Sequence, residues 1–252
     1  MTSFATAAGI ALLLVRPGMI VMGTPFLGAL NAPPVMRVGL TVLLALLMAS
    51  AVPVPATLPA VGLTVVVLRE LAIGFALALA VRVLIAGAEF AGHLTGYQVG
   101  LSLGSLIDPQ SGVRNNVIAL LYGNLAAVIC LATNAHHAVL RALVDSYTWL
   151  PIGLGGVGDT LSASVARILG MIFLLGMRVA APMIVVLLIV ELVLGLFARV
   201  APSLNVMVAG APVRVIAGLL VAALSLVALP ALITRFLPEA LSLGADTARA
   251  FR

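Results

Sequence analysis

Residues 215–233 of the chain read VIAGLLVAALSLVALPALI, a run with no charged residue that Arg214 and Arg235 bracket. A helix needs about 20 predominantly apolar residues to cross the hydrocarbon core of a membrane, because each residue advances it by only about 1.5 Å. This run has that length and is the cleanest of its kind in the sequence. It predicts a membrane-spanning α-helix.

The composition of the whole chain supports the same interpretation. Of 252 residues, 63% are hydrophobic and 8% are charged, whereas a soluble protein carries about 25% charged residues. So few charges cannot cover the outside of a helical bundle in water, so lipid or partner subunits must cover it. The 13 basic residues, none of them lysine, are spread singly along the chain, so we expect no binding of nucleic acid.

Further apolar runs occupy most of the remaining sequence. They cover residues 4–15, 19–30, 38–52, 61–88, 117–133 and 161–197. The first two are short for membrane spans, unless a helix joins them across a kink at Arg16-Pro17-Gly18. No β-strand pattern occurs. We therefore predict an all-α, polytopic integral membrane protein with roughly six hydrophobic helical units, some of them broken, in a single membrane-embedded domain over residues 1–252.

Charged residues lie inside these runs or at their edges. They are Glu70, Arg82, Glu89, Arg178 and Glu191. An ionisable group at bilayer depth costs at least about 2.5 kcal/mol on insertion scales, so such residues usually face protein or water. Arg82 and Glu89 share a helix face but lie about 10 Å apart along its axis, so each needs another partner. Two interpretations stay open: ion pairs between helices, or the lining of a path or of a subunit interface.

Glycines recur at every fourth position, at Gly92, Gly96, Gly100 and Gly104. On a helix this spacing makes a smooth strip, which lets another backbone approach closely and drives helix association in membranes. The alternative is a flexible segment, since each glycine weakens a helix by about 1 kcal/mol relative to alanine. We favour a role in helix packing.

Motifs that would indicate catalysis are weak. Residues 153–158 fit the pattern G-x-G-x-x-G, but a dinucleotide site needs a strand before the motif, and this sequence is helical. His136 and His137 have no further ligand at helical spacing, and Cys130 is the only cysteine. No serine lies in a nucleophile-elbow pattern. We therefore expect no enzymatic activity, no metal site and no cofactor.

A polar turn at residues 107–112 separates two strongly apolar regions. Its residue types, with Asp108, Pro109, Gln110 and Gly112, are typical of a tight, non-helical turn. Polar backbone at membrane depth persists only where protein buries it or water reaches it. The simpler alternative is a turn at the surface.

Two blocks of the sequence together resemble one protein family. The first contains Glu70, Gly74, Arg82, Glu89, Gly92, Gly96, Tyr97-Gln98, Gly100 and Asp108-Pro109-Gln110; the second contains Ala181-Pro182, Glu191, Leu194-Gly195, Ala198-Arg199, Pro202, Leu204-Asn205 and Pro212. They are similar to the flagellar biosynthetic FliR family and its injectisome counterparts of the SctT family, over nearly the whole chain. One departure is Ala135, which follows Asn134 where the family pattern leads us to expect glycine.

This resemblance implies a fold of the export-gate type and a non-enzymatic role in the flagellar type III export gate. The implied partners are FliP-like and FliQ-like membrane subunits, which form a channel for unfolded secreted proteins, together with FlhB-like and FlhA-like export components and membrane lipid. The implied location is the bacterial inner membrane, at the flagellar basal body. A pore-plugging role falls on Asp108, Pro109, Gln110 and Gly112, while the glycine strip and the intrahelical charges are expected to pack subunits together.

Two alternatives stay open. An injectisome subunit of the same family would share the architecture, although the Asp-Pro-Gln turn favours the flagellar system. A self-contained secondary transporter would explain broken helices and buried charges, but it should contain an inverted repeat, which the sequence does not display.

Overall fold

The computed structural model describes residues 2–25, 33–49, 52, 62–100, 116–152, 158, 160–201 and 206–251. Within these residues it contains seven α-helices and no β-strand. The helices are α1 (Thr2–Gly23), α2 (Pro34–Ala49), α3 (Leu63–Val99), α4 (Val117–Ala132), α5 (Ala135–Trp149), α6 (Leu161–Val200) and α7 (Val206–Arg249).

Three of these helices, α3, α6 and α7, are long and apolar enough to cross a membrane. The pair α4 and α5 is bent by 68° at its break and forms a fourth candidate if it counts as one span. Apolar runs of this length, with few charges, leave a helix with no stable place in water. The predicted class, an all-α polytopic membrane protein with broken helices, is confirmed.

α1 continues through Arg16-Pro17-Gly18, so the first short apolar run and the start of the second, as far as Gly23, form one helix. Proline removes a backbone hydrogen bond inside a helix and often ends it. Here neighbouring contacts hold the helix on both sides of Pro17. The Arg16 side chain is fully buried against α3 and α5, and Gly18 lies against Thr41 of α2.

α5 is the helix that the search for apolar runs did not identify. Its sequence contains Arg141 and Asp145, so no uncharged window covers it. Its buried side chains nevertheless include Ala135, Val139, Leu143 and Tyr147, which recur at every fourth position. That spacing gives a helix one apolar stripe that faces the core.

The chain folds as two compact units. The first comprises Met1–Val83, Cys130–Gly170 and Leu237–Arg252, and the second comprises Leu84–Ile129 and Met171–Phe236. In the first unit α1 packs closely on α3 at Gly74, where an added Cβ would lie 2.8 Å from the carbonyl oxygen of Arg16. Only glycine permits the two backbones to approach this closely.

In the second unit α6 and α7 run antiparallel. Leu194 contacts Gly210, and three residues earlier on α6 Glu191 pairs with Arg214, which lies four residues later on α7. Further along, Met183 and Leu187 of α6 share a buried cluster with Ala222 of α7 and Val99 of α3. This cluster is the part of the second unit's apolar core where α3, α6 and α7 meet.

Candidate functional site

Arg16 of α1 and Glu70 of α3 form a fully buried ion pair in the first unit. Nε of Arg16 donates to Oε2 of Glu70, and Nη2 donates to Oε1 at 3.0 Å. The same guanidinium donates to the hydroxyl of Ser146 at 3.1 Å and to the carbonyl oxygen of Leu150 at 2.6 Å. It also lies 4.4 Å from the centre of the Tyr147 ring. One arginine therefore joins α1 and α3 to the C-terminal end of α5.

This arrangement is suited to holding helices together. A guanidinium does not lose its proton in proteins, and both oxygens of Glu70 already accept hydrogen bonds from Arg16. Glu70 was predicted from the sequence as an intrahelical charge that pairs between helices or lines a path or a subunit interface, whereas Arg16 was not predicted. The two residues are 54 positions apart, and no local pattern connects positions at that separation.

Glu191 of α6 and Arg214 of α7 form an ion pair in the second unit, with 3.7 Å between Oε1 and Nε. Their side chains are 57% and 44% exposed, respectively. The neighbouring side chains Leu188 and Leu192 are apolar and exposed, and Gly195 faces open space. Charges on an apolar face of a candidate membrane span are costly in hydrocarbon, so this face needs protein or water to cover it.

The other predicted intrahelical charges have separate environments. Arg82 is exposed on α3. Glu89 is half-buried, with its side chain against Gly123 of α4. Arg178 is exposed on α6, and its guanidinium lies 5.1 Å from the centre of the Phe236 ring, within the range of a cation–π interaction.

The predicted glycine strip lies partly against the start of α4. An added Cβ at Gly92 would lie 2.8 Å from the backbone nitrogen of Ala119, and one at Gly96 would overlap the side-chain amide of Asn116. Gly92 and Gly96 thus admit a close neighbour from within the chain. Gly100 ends the helix instead, with a φ of 85° and a hydrogen bond from its N–H to the Tyr97 carbonyl oxygen at 3.2 Å.

The remaining predicted positions fall outside the residues that the structure describes. They are Gly104 of the strip and Asp108, Pro109, Gln110 and Gly112 of the predicted plug. The described chain ends before them at Gly100 and resumes after them at Asn116.

The break between α4 and α5 is built on Asn134. This residue has φ 57° and ψ 29°, the left-handed conformation that asparagine adopts more readily than most residues other than glycine. Ala135 is already helical and fully buried. The family pattern led us to expect glycine at position 135. The residue with the left-handed backbone is Asn134 instead, so alanine fits at 135.

No group of three or more His, Cys, Asp or Glu side chains within the described residues is arranged to hold a metal ion. His136 and His137 lie side by side, with ring centres 4.2 Å apart. Cys130 is buried as a free thiol.

Comparison with known proteins gives consistent matches over most of the chain. The family model described as bacterial export proteins, family 1, matches residues 7–240. The chain is 32% identical to the flagellar biosynthetic protein FliR of Pectobacterium carotovorum, over 83% of this chain and 81% of that protein. It is 31% identical to FliR of Caulobacter vibrioides over 90% and 92% of the two chains, and 30% identical to FliR of Escherichia coli over 82% and 79%.

Proposed function

Because this chain belongs to the FliR family of bacterial export proteins, we propose that it is a structural, non-enzymatic component of the flagellar type III protein export gate. Residues 1–252 act as one membrane-embedded domain of that gate. With FliP-like and FliQ-like subunits they form a channel for unfolded secreted proteins. The gate lies in the bacterial inner membrane at the flagellar basal body, in contact with FlhB-like and FlhA-like components.

The observation that carries this proposal is the exposed face around Glu191 and Arg214. Lipid covers the apolar side chains of this face well, but an ion pair facing hydrocarbon loses its hydration without full compensation. A helix of a partner subunit that carries polar groups would cover the apolar side chains and also form hydrogen bonds with the ion pair. The same reasoning supports packing roles for Arg82, Glu89 and Arg178. It is weakest for Glu70, because Glu70 and its partner Arg16 are both fully buried.

The flagellar system is favoured over the injectisome by the names of the relatives. The three proteins compared above are all flagellar biosynthetic proteins, and each matches about four fifths or more of this chain. The injectisome role stays the alternative within the same family.

The gating role is proposed for Asp108, Pro109, Gln110 and Gly112. These residues form the plug that blocks leakage until export begins. Gly92, Gly96 and Gly104 are proposed to pack helices together, whereas Gly100, the fourth glycine of the predicted strip, ends α3. The described chain on both sides of the plug is well anchored, since Gly100 caps the end of α3 and Asn116 caps the start of α4.

Co-expression with FliP-like and FliQ-like proteins of the same organism tests the assembly. We expect affinity purification of this chain to recover a complex of all three proteins, with defined stoichiometry by native mass spectrometry. An unrelated polytopic membrane protein, co-expressed in their place, serves as the control. A chain that purifies alone, stable and active in solute transport, would support the secondary transporter instead.

Ion leakage through the assembled gate tests the plug. Deletion of residues 108–112 should raise leakage, because the pore loses its obstruction. Deletion of residues 153–157, a segment of equal length elsewhere in the chain, is the matched control. Unchanged leakage after the first deletion, in a complex that still assembles, would refute the plug assignment.

A further inference from the structure

Arg69 lies directly before Glu70 on α3 and is only 8% exposed. Its Nε and Nη2 are shielded from solvent, and within the residues that the structure describes they have no hydrogen-bond partner. Glu70 attracts this guanidinium, but both oxygens of Glu70 already accept hydrogen bonds from Arg16, and Arg16 repels Arg69. Two buried arginines therefore share one carboxylate, and one positive charge is left without a counterion.

This unpaired charge is costly for the isolated chain. A guanidinium keeps its proton in proteins, so Arg69 cannot avoid the cost by becoming neutral. Buried charges in proteins are paired and hydrogen-bonded, because an uncompensated charge loses its hydration without return. The same holds for ionisable residues of membrane helices, and α3 is a candidate membrane span. Arg69 thus lacks a counterion that a second molecule can supply.

The surface of α3 beside Arg69 is apolar. Leu68 precedes it in the chain and is 61% exposed, and Val65, one helical turn earlier on the same face, is 67% exposed. A molecule that packs here therefore needs an apolar surface that carries one negative group. A carboxylate suits this position because its two oxygens match the planar set of N–H donors of a guanidinium.

A side chain fits the site better than a lipid head group does. Arginines that meet head groups extend toward water with their charged ends. The Nε and Nη2 atoms of Arg69 are instead shielded from solvent. A group that reaches them has to be carried in among the helices, as the carboxylate of a neighbouring helix is.

We propose that Arg69 is a binding site for an aspartate or glutamate side chain on an apolar helix of a partner subunit. This inference rests on the proposed function, since the partner is a membrane subunit of the export gate. It concerns the first unit, whereas the pair of Glu191 and Arg214 lies in the second. At that pair a partner covers two charges that already meet; at Arg69 the partner supplies the missing charge.

Arg69→Met separates this role from a structural role within the chain. Methionine retains part of the apolar stem and removes the charge. In detergent we expect the isolated variant to melt at a temperature at least as high as the wild type, because an unpaired buried charge is gone. We expect its assembly with the FliP-like and FliQ-like subunits to be at least about tenfold weaker, because the partner's carboxylate is left unpaired. Arg141→Met, at an exposed arginine of α5, is the matched control and should change neither result.

The outcomes distinguish this site from the proposed function. A lower melting temperature of the isolated Arg69→Met chain would show that Arg69 stabilises the fold itself, and the inference would be wrong. Assembly of Arg69→Met as tight as that of the wild type would overturn the inference alone. Failure of the wild type to assemble with these subunits would overturn the proposed function, and this inference with it.

Crosslinking identifies the carboxylate. A photo-crosslinking phenylalanine derivative at Leu68, in the assembled gate, should form an adduct with a partner segment that contains an aspartate or glutamate. Replacement of that residue by leucine should weaken assembly as much as Arg69→Met, and the two changes combined should be no worse than either alone. If the derivative reacts with lipid only, and native mass spectrometry finds a phospholipid that Arg69→Met loses, the site binds a phosphate head group and the inference is wrong.

Discussion

Arg16–Glu70 in the first unit and Arg214–Glu191 in the second are the same kind of ion pair in opposite surroundings. Within the described residues they are the two ion pairs that join different helices. The first is fully buried, and its arginine has further partners in Ser146 and Leu150. The second lies about half exposed on an apolar helix face. The first pair is complete within the chain, whereas under the proposed function a partner subunit covers the second. Charge would then serve the fold in one unit and assembly in the other.

Breaking the buried pair should have the largest effect. Glu70→Gln leaves Arg16 charged and buried without its counterion, and removal of one partner of a buried pair costs about 3–5 kcal/mol. We expect a large loss of thermal stability in detergent, measured by fluorescence-detected size-exclusion chromatography after heating. Glu191→Gln is the chemically identical control and should change the stability of the isolated chain by less than about 1 kcal/mol. Equal losses in both variants would break the comparison.

Removing both buried charges should cost less than removing one. A buried ion pair replaced by apolar residues of similar volume is often nearly neutral. We expect the double change Arg16→Met with Glu70→Met to recover at least about half of the stability that Glu70→Gln loses. A double variant as unstable as the single one would indicate that the hydrogen bonds to Ser146 and Leu150 dominate.

A neutral buried contact in the second unit should matter less than the ion pair. The hydroxyl of Tyr122 on α4 hydrogen-bonds the hydroxyl of Ser225 on α7 and lies 3.3 Å from the Ala222 carbonyl oxygen. Tyr122→Phe should cost about 1 kcal/mol, since Ser225 keeps its own hydrogen bond to Ala222. Tyr97→Phe, at an exposed tyrosine, should cost nothing measurable in the same melting assay. A loss from Tyr122→Phe as large as that from Glu70→Gln would refute the ranking.

Glu191→Gln should have the smallest effect on the chain alone and a visible effect on the complex. The exposed pair contributes little in detergent and water, whereas a partner helix that covers it removes that solvent. We expect reduced recovery of the FliP-like and FliQ-like subunits in co-purification. Full recovery would indicate that water or lipid covers this face in the assembled state.

The sequence allowed the membrane helices to be predicted because apolar length is a local property. α3, α6 and α7 were found from their runs, although each helix extends beyond the run that predicted it. α1 was divided at Pro17 because the contacts that hold the helix there come from distant residues. α5 was not predicted from uncharged windows because it contains charged residues, but its apolar residues recur at every fourth position in the sequence.

Individual contacts were less predictable, for different reasons. Arg16 and Glu70 are distant in the chain, so only the fold brings them together. Asn116 was within reach, because an asparagine directly before an apolar run is a typical helix N-cap. The hydrogen bonds that its side-chain amide donates to backbone carbonyl oxygens of α3 depend on the space left by Gly92 and Gly96. They could not be predicted without knowing how the two helices pack. The family pattern led us to expect glycine at position 135, but the left-handed residue of this turn is Asn134.

The central claim is that partner subunits cover the apolar face around Glu191 and Arg214. The most direct measurement places a photo-crosslinking phenylalanine derivative at Leu192, which is 62% exposed on this face, in cells that also make the FliP-like and FliQ-like proteins. We predict an adduct of this chain with one of those subunits, absent from cells that lack them. A complex that assembles normally, but in which position 192 crosslinks to lipid and to no protein, would contradict the account.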